Sequence, residues 1–184
     1  MPGYNFSDDV RRTLQRAREQ ATGLHHGRVA PEHLLLGLTR GPGDTCGAVL
    51  NELHVDPEIL FQRMVAATTT PVESAAAGPD LPYTDSAKKV LELAMIEAKD
   101  LKYGYVGTEH LLLGLLREGS SSAAEVLARA GLTLQSTRSA LTRLVPPSEP
   151  RQAAPVDARR ALLLASCALV VAIVALLLAL RAQP

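Results

Sequence analysis

Aromatic residues are nearly absent from this sequence. It contains no tryptophan, two phenylalanines and four tyrosines in 184 residues, and its apolar content is mostly leucine, alanine and valine. Leucine and alanine are strong helix formers, whereas strand-rich proteins usually contain more threonine, isoleucine and aromatic residues. The composition therefore predicts an all-α fold, and the length allows one domain or two small ones.

The sequence also lacks an excess of charge of either sign. The formal net charge is zero, with 19 basic and 19 acidic residues. Four of the basic and two of the acidic residues lie after residue 145, which leaves 15 basic and 17 acidic residues before it. A nucleic-acid-binding domain usually carries a basic face, so we expect no nucleic-acid partner.

Several common motifs are missing. The sequence has no G-x-x-x-x-G-K-[ST] loop, so we expect no bound nucleotide and no other cofactor. The N-terminal residues lack the apolar region of a cleavable signal peptide. Cysteine occurs twice, as Cys46 and Cys167, and we expect two free thiols because Cys167 lies inside a long apolar stretch.

That apolar stretch occupies residues 161–180, which contain no charge, proline or glycine. About 20 helical residues span a hydrocarbon layer of about 30 Å. A buried core helix is the alternative, but such helices are rarely apolar on every side over this length. We therefore predict a transmembrane helix at residues 159–181, preceded by a proline-rich spacer at residues 146–158.

The arginines around the apolar stretch predict its orientation. Three of them precede it closely and one follows it. By the positive-inside rule, the N-terminal part of the chain lies in the cytoplasm. The sequence thus predicts a single-pass, C-terminally anchored membrane protein.

The remainder of the chain contains an internal repeat. The motif E-H-L-L-L-G-L occurs at residues 32–38 and again at residues 109–115, an offset of 77. The match runs without a gap from Phe6, and fades after about residue 55. Such a match indicates a duplication. We assign residues 1–66 to the first repeat, residues 67–82 to a linker and residues 83–145 to the second repeat.

Each repeat is expected to contain four helices, because its apolar residues recur at three- and four-residue steps. Caps and prolines suggest where the helices begin. Two such repeats would share one core about a pseudo-twofold axis, since a single motif of this size buries little surface. In the first repeat, the predicted helices begin after Ser7 and near Pro31, and the other two cover about 44–53 and 57–66. In the second repeat, they begin at the caps Thr84 and Thr108, and the other two cover about 121–130 and 134–144.

The two E-H-L-L-L-G-L motifs, one after Ala-Pro and the other after Val-Gly-Thr, resemble those of the Clp N-terminal repeat domain. This is the double four-helix module at the front of Clp-type chaperones, and the second repeat is especially similar to the C-type version. The resemblance covers roughly residues 4–145. It implies a non-enzymatic module that binds substrates or adaptor proteins.

The resemblance also implies binding residues. In C-type Clp domains the glutamates that match Glu32 and Glu109 hold phosphorylated arginine, and Thr108 beside Glu109 is part of the family pattern. A carboxylate pairs well with a guanidinium. The alternative is that both glutamates only complement the helix dipole. Pro31 stands where the first repeat would have the threonine.

Other polar residues are expected to be structural. His33 and His110 follow the two glutamates, but no third ligand has suitable spacing, so we expect backbone hydrogen bonds and no metal. Cys46 matches Ala123 and should lie in the core. The serines at 120–122 suit a loop and a helix cap. The remaining histidines have no counterpart in the second repeat and are expected at the surface: His25, His26 and His54.

These observations lead to one main hypothesis and one alternative. The main hypothesis is a membrane-tethered docking module for client proteins or for Clp-type ATPase or protease subunits. The alternative is a regulator or assembly factor that binds Clp subunits and no substrate. No pair of residues has the spacing of a nucleophile and its base, so we do not expect an enzyme.

Overall fold

Eight α-helices form the regular structure of the part of the chain that the computed structural model describes, residues 5–41, 43–68 and 81–146. This confirms the all-α prediction. These residues belong to the first of two units, Met1–Ser148. The helices are α1 (Asp8–Gly23), α2 (Pro31–Thr39), α3 (Thr45–Glu52), α4 (Pro57–Ala67), α5 (Asp85–Asp100), α6 (Thr108–Glu118), α7 (Ser122–Arg129) and α8 (Leu134–Leu144).

The offset of 77 holds for every pair of matching helices. Each of α5 to α8 begins 77 residues after its partner among α1 to α4. This includes α4 and α8, which begin at Pro57 and Leu134 beyond the point where the sequence match fades. The duplication is therefore better preserved in the backbone than in the side chains.

Local side-chain contacts explain where most helices begin. A serine, threonine or aspartate precedes the helix, and its side-chain oxygen accepts a hydrogen bond from a backbone N–H of the first turn. In this way the cap satisfies a donor that has no partner within the helix. These residues are Ser7, Asp44, Asp56, Thr84, Ser121 and Thr133.

Two glycines allow the first two helices of each repeat to cross closely. A Cβ atom on Gly37 of α2 would lie 2.6 Å from the carbonyl oxygen of Thr13 on α1. A Cβ atom on Gly114 of α6 would lie 2.5 Å from the carbonyl oxygen of Val90 on α5. Because both obstacles are backbone atoms, neither crossing has room for a larger residue.

Two isolated parallel bridges join the repeats. Phe6 pairs with Val106, and Val29 pairs with Tyr83. Each bridge joins the segment before the first helix of one repeat to the segment before the second helix of the other. Such a reciprocal exchange is what a twofold axis produces, and it supports the predicted pseudo-twofold arrangement.

The shared core is built around the second helix of each repeat. The leucines at 34–36 and 111–113 are all at most 1 % exposed, although they occupy successive positions of a helix. Cys46 is also buried, as is Ala123 at the matching position. The prediction that Cys46 lies in the core is confirmed.

A buried carboxylate and two arginines link three helices of the second repeat. Glu97 on α5 is fully buried and accepts hydrogen bonds from Arg117 at 2.8 Å and from two nitrogens of Arg138 at 2.7 Å. Burial alone would raise the pKa of Glu97, but the hydrogen bonds and charges of Arg138 and Arg117 lower it below its ordinary value. The carboxylate thus ties together α5, α6 and α8.

The predicted spacer at 146–158 and the predicted transmembrane helix at 159–181 lie, apart from Pro146, outside the described residues. Among the helices that the structure does describe, none is both long enough and apolar enough to cross a bilayer.

Candidate functional site

Glu32 and Glu109 occupy the first turns of α2 and α6, at equivalent places in the two repeats. The bridges Val29–Tyr83 and Phe6–Val106 lie directly before these turns. Each glutamate therefore stands where its own repeat meets the start of the other one. The N-terminal end of a helix also favours a negative charge.

The histidine that follows each glutamate holds the helix start. Nδ1 of His33 accepts the backbone N–H of Ala30 at 2.9 Å, and Nδ1 of His110 accepts the backbone N–H of Gly107 at 3.0 Å. Both rings are buried. The structural role that we predicted for these two histidines is confirmed.

The structure corrects the prediction that His26 is a surface residue. It is only 5 % exposed, and its Nδ1 lies 2.9 Å from Nε2 of His33. Since Nδ1 of His33 is already an acceptor, its Nε2 carries the proton and donates to His26. Burial, with a smaller contribution from His26, lowers the pKa of His33 to about 4. His25 and His54 are exposed as expected.

Thr108 does not cap α6, contrary to the prediction. The cap position belongs to Gly107, whose backbone is extended, and Thr108 is the first residue of the helix. Its hydroxyl oxygen instead accepts the backbone N–H of Cys46 at 3.3 Å, close to the Asp44 side chain. Thr108 thus joins the start of α6 to the start of α3 in the other repeat.

Glu109 and Glu32 differ in accessibility. Glu109 is 1 % exposed, whereas Glu32 is half-buried. The Glu109 carboxylate lies against Gly107, where a Cβ atom would be 2.2 Å from its Oε1. The first repeat has Ala30 at that position, and its methyl group takes up the same space. Glu32 therefore cannot fold back as Glu109 does.

The buried Glu109 carboxylate leaves polar atoms without partners. Nδ1 of His110 lies 3.1 Å from Oε1 of Glu109, but it already accepts the N–H of Gly107 and has no proton to give. Oε1 of Glu109, Nε2 of His110 and Oδ2 of Asp44 are buried without a hydrogen-bond partner. Unsatisfied groups of this kind are costly, so the carboxylate favours a cationic or hydrogen-donating partner.

Burial and the negative charge of Glu109 also affect its neighbours. Burial raises the pKa of Asp44 and of Cys46, and Glu109 adds a smaller contribution in the same direction. Tyr103 and Tyr105 show the same two effects. The sequence analysis did not identify Asp44, because its proximity to Thr108 depends on how the two repeats pack. No group of His, Cys, Asp and Glu within the described ranges could hold a metal ion.

Comparison with known proteins identifies relatives of the whole described region. The sequence model of the Clp repeat (R) N-terminal domain family matches residues 5–130 and 83–162. The chain is 36% identical over 144 residues to the negative regulator of genetic competence ClpC/MecB of Bacillus subtilis, and 34% identical over 147 residues to the chaperone protein ClpB of Oceanobacillus iheyensis. Each match covers 78% of this chain and 17% of the relative, so the chain spans about a sixth of their length.

Solved structures agree with this fold. The N-terminal domain of the chaperone ClpD from Arabidopsis thaliana is 26% identical, with a TM-score of 0.61 over 76% of this chain and 94% of that domain. The N-domain of ClpV from Vibrio cholerae has a TM-score of 0.65 over 78% of this chain and 87% of that domain. Its identity of 16% supports the fold alone.

Proposed function

Because this chain belongs to the Clp repeat (R) N-terminal domain family, we propose that it is a non-enzymatic docking module for protein clients. The observation that carries the proposal is the repeated glutamate at the start of α2 and α6, on the scaffold that the family uses. Resemblance to C-type Clp domains suggests a phosphorylated arginine side chain as the ligand. Thr108 would contribute through its position beside Glu109.

The two glutamates would engage such a ligand differently. Glu32 is half-buried, so part of its side chain is open to a guanidinium. Glu109 can do so only after its carboxylate leaves the space beside Gly107. Contact with a guanidinium would satisfy its unpaired Oε1, which supports a charge-assisted hydrogen bond at this site.

Binding of a fluorescent peptide that contains phosphoarginine tests the proposal. The full chain would be purified in a non-ionic detergent, and affinity measured by fluorescence anisotropy. We expect the double variant Glu32→Gln, Glu109→Gln to bind roughly tenfold more weakly or worse, because two charge-assisted contacts are lost. Glu92→Gln, an exposed glutamate on α5, is the matched control. Equal affinity of the double variant and the wild type would contradict the proposal.

We also propose that residues 161–180 tether this module to a membrane, with the docking domain in the cytoplasm. The support is the uncharged apolar composition of the segment and the arginines before it. Cell fractionation tests it: the full chain should sediment with membranes, and a version that ends at Pro155 should not. Identical soluble behaviour of the two would refute the tether.

A pull-down from solubilised membranes would identify the partners. Recovery of many unrelated proteins, reduced by the two glutamate substitutions, would support client docking. Recovery of a Clp ATPase or peptidase alone would instead favour the alternative, a regulator or assembly factor that binds Clp subunits.

A further inference from the structure

The pseudo-twofold axis creates two equivalent seams between the repeats. In one seam α3 packs on α8, and in the other α7 packs on α4. The α3–α8 seam is closed by an ion pair. The guanidinium of Arg143 on α8 lies 3.2 Å from Oε1 of Glu52 on α3.

The α4–α7 seam lacks this closure. Ala66 stands at the position that matches Arg143, and Arg129 stands at the position that matches Glu52. A groove of about 580 Å³ lies here, and we call it the α4–α7 groove. Its lining consists of two arginines and three small or branched apolar residues: Arg63, Ala66, Ala67, Val126 and Arg129.

The two arginines of the α4–α7 groove have little compensating charge. Arg63 forms no ion pair with any residue that the structure describes. Arg129 lies 3.6 Å from Glu125 on its own helix, and both side chains are largely exposed. An exposed ion pair of this kind contributes little to stability. Ala140 stands at the position that matches Arg63 and is fully buried. The positive charge of Arg63 is therefore present at the α4–α7 seam and has no counterpart at the α3–α8 seam.

A smaller groove extends the first one along α4. It has a volume of about 150 Å³ and shares Arg63 as a lining residue. Ile59, which is 51 % exposed, lines it with Val55, and Asp56 and His54 lie there too. The two grooves share Arg63 and together present two arginines, several apolar side chains and the carboxylate of Asp56.

We propose that the α4–α7 groove binds an extended peptide segment that alternates acidic and apolar side chains. Carboxylates would pair with Arg63 and Arg129, and apolar side chains would cover Val126 and the neighbouring alanines. A free phosphate or a lipid headgroup would meet the arginines but would leave the apolar lining and Ile59 uncovered. Neither Glu32 nor Glu109 lines this site, and its arginines would pair with carboxylates whereas the glutamates would pair with a guanidinium, so the site stands independently of the proposed function.

Fluorescence anisotropy with a short labelled peptide that alternates glutamate and leucine tests this site on the full chain in detergent. We expect Arg63→Glu, Arg129→Glu to weaken binding by roughly tenfold or more, because each substitution replaces attraction with repulsion. Both arginines are exposed, so the variant should fold normally. Binding by the wild type should also weaken with added salt.

Three controls make the outcome decisive. Lys88→Glu, Lys89→Glu applies the same charge change to exposed residues of α5, and should keep wild-type affinity. The same peptide with glutamine in place of glutamate should bind weakly. Glu92→Gln, which changes an exposed glutamate of α5, should have no effect. Equal loss in the lysine variant, tight binding of the glutamine peptide, or wild-type affinity of the arginine variant would each overturn the proposal, as would stronger arginine-dependent binding to anionic lipid vesicles than to the peptide.

Discussion

The two repeats share a backbone but place the same glutamate in different surroundings. Glu109 is buried against Gly107, whereas Glu32 is half-buried and has Ala30 at the position of Gly107. We attribute the difference to the single methyl group of Ala30 beside the helix start. The comparison teaches that duplication preserved the position of the candidate binding group while its accessibility diverged.

A second set of matched positions shows the same divergence. In the second repeat, Glu97 is clamped by Arg117 and Arg138. The first repeat has Gln20, Arg40 and Phe61 at these positions, and the guanidinium of Arg40 stacks 3.7 Å from the centre of the Phe61 ring. A buried carboxylate held by two arginines in one repeat thus corresponds to a cation–π contact in the other.

The largest expected effect tests what the repeats have in common. Gly37→Ala and Gly114→Ala should each lower the free energy of unfolding by about 3 kcal/mol, because the new methyl group would meet a backbone carbonyl less than 3 Å away. Chemical denaturation of each variant would measure this cost. The two values should agree closely if the helix crossings are equivalent.

Gly104→Ala is the matched control for these glycines, since a Cβ atom there has no neighbour within 4 Å. It should leave stability nearly unchanged. A large cost at one helix crossing and a negligible cost at the other would show that the two repeats pack differently.

A smaller effect is expected from the buried His33 of the first repeat when the pH is lowered. The folded-state pKa of His33 lies near 4, below its ordinary value of 6.5, so folding favours the neutral ring. The contribution of His33 to the free energy of unfolding is therefore present above pH 6.5 and is lost as the pH falls towards 4. Linkage predicts a loss of about 2 kcal/mol between about pH 7.5 and about pH 5.

Denaturation of His33→Gln at both pH values measures this contribution. The pH dependence of the unfolding free energy should be reduced in this variant by the predicted amount. His25→Gln changes the exposed histidine beside the buried pair and should keep the wild-type pH dependence. If His33→Gln kept the wild-type pH dependence of the unfolding free energy, the buried pair of His26 and His33 would not be the acid-sensitive element.

The sequence predicted the features that depend on local patterns. Helix starts follow from short-range caps such as Ser7 and Thr84, and the core position of Cys46 follows from its match with Ala123. Features that depend on packing between distant segments were not predictable, such as the hydrogen bond from Cys46 to Thr108.

Two errors show where local reasoning failed. His26 was expected at the surface because its counterpart is Tyr103, but its partner His33 is recognisable only in the fold. Thr108 was expected to cap α6 because threonine is a common cap, whereas Gly107 takes that position. The burial of Glu109 did have a signal in the sequence, since the offset of 77 pairs Gly107 with Ala30.

The smallest expected effect on stability is also the sharpest test of the comparison. Gly107→Ala should displace the Glu109 carboxylate towards solvent and change the free energy of unfolding by less than about 1 kcal/mol, because a flexible side chain can move aside. Carbodiimide labelling followed by mass spectrometry would measure the exposure of each carboxylate. Glu32 should react faster than Glu109 in the wild type, and the two should react alike in Gly107→Ala.

The reciprocal substitution completes this test. Ala30→Gly should let Glu32 fold back and should slow its labelling, while Glu109 keeps its wild-type rate. If the docking proposal holds, Gly107→Ala should also bind the phosphoarginine peptide more tightly, because the cost of exposing Glu109 has been removed in the free protein. Should Glu109 stay unreactive in Gly107→Ala, the methyl group of Ala30 would not be the cause of the difference between the repeats.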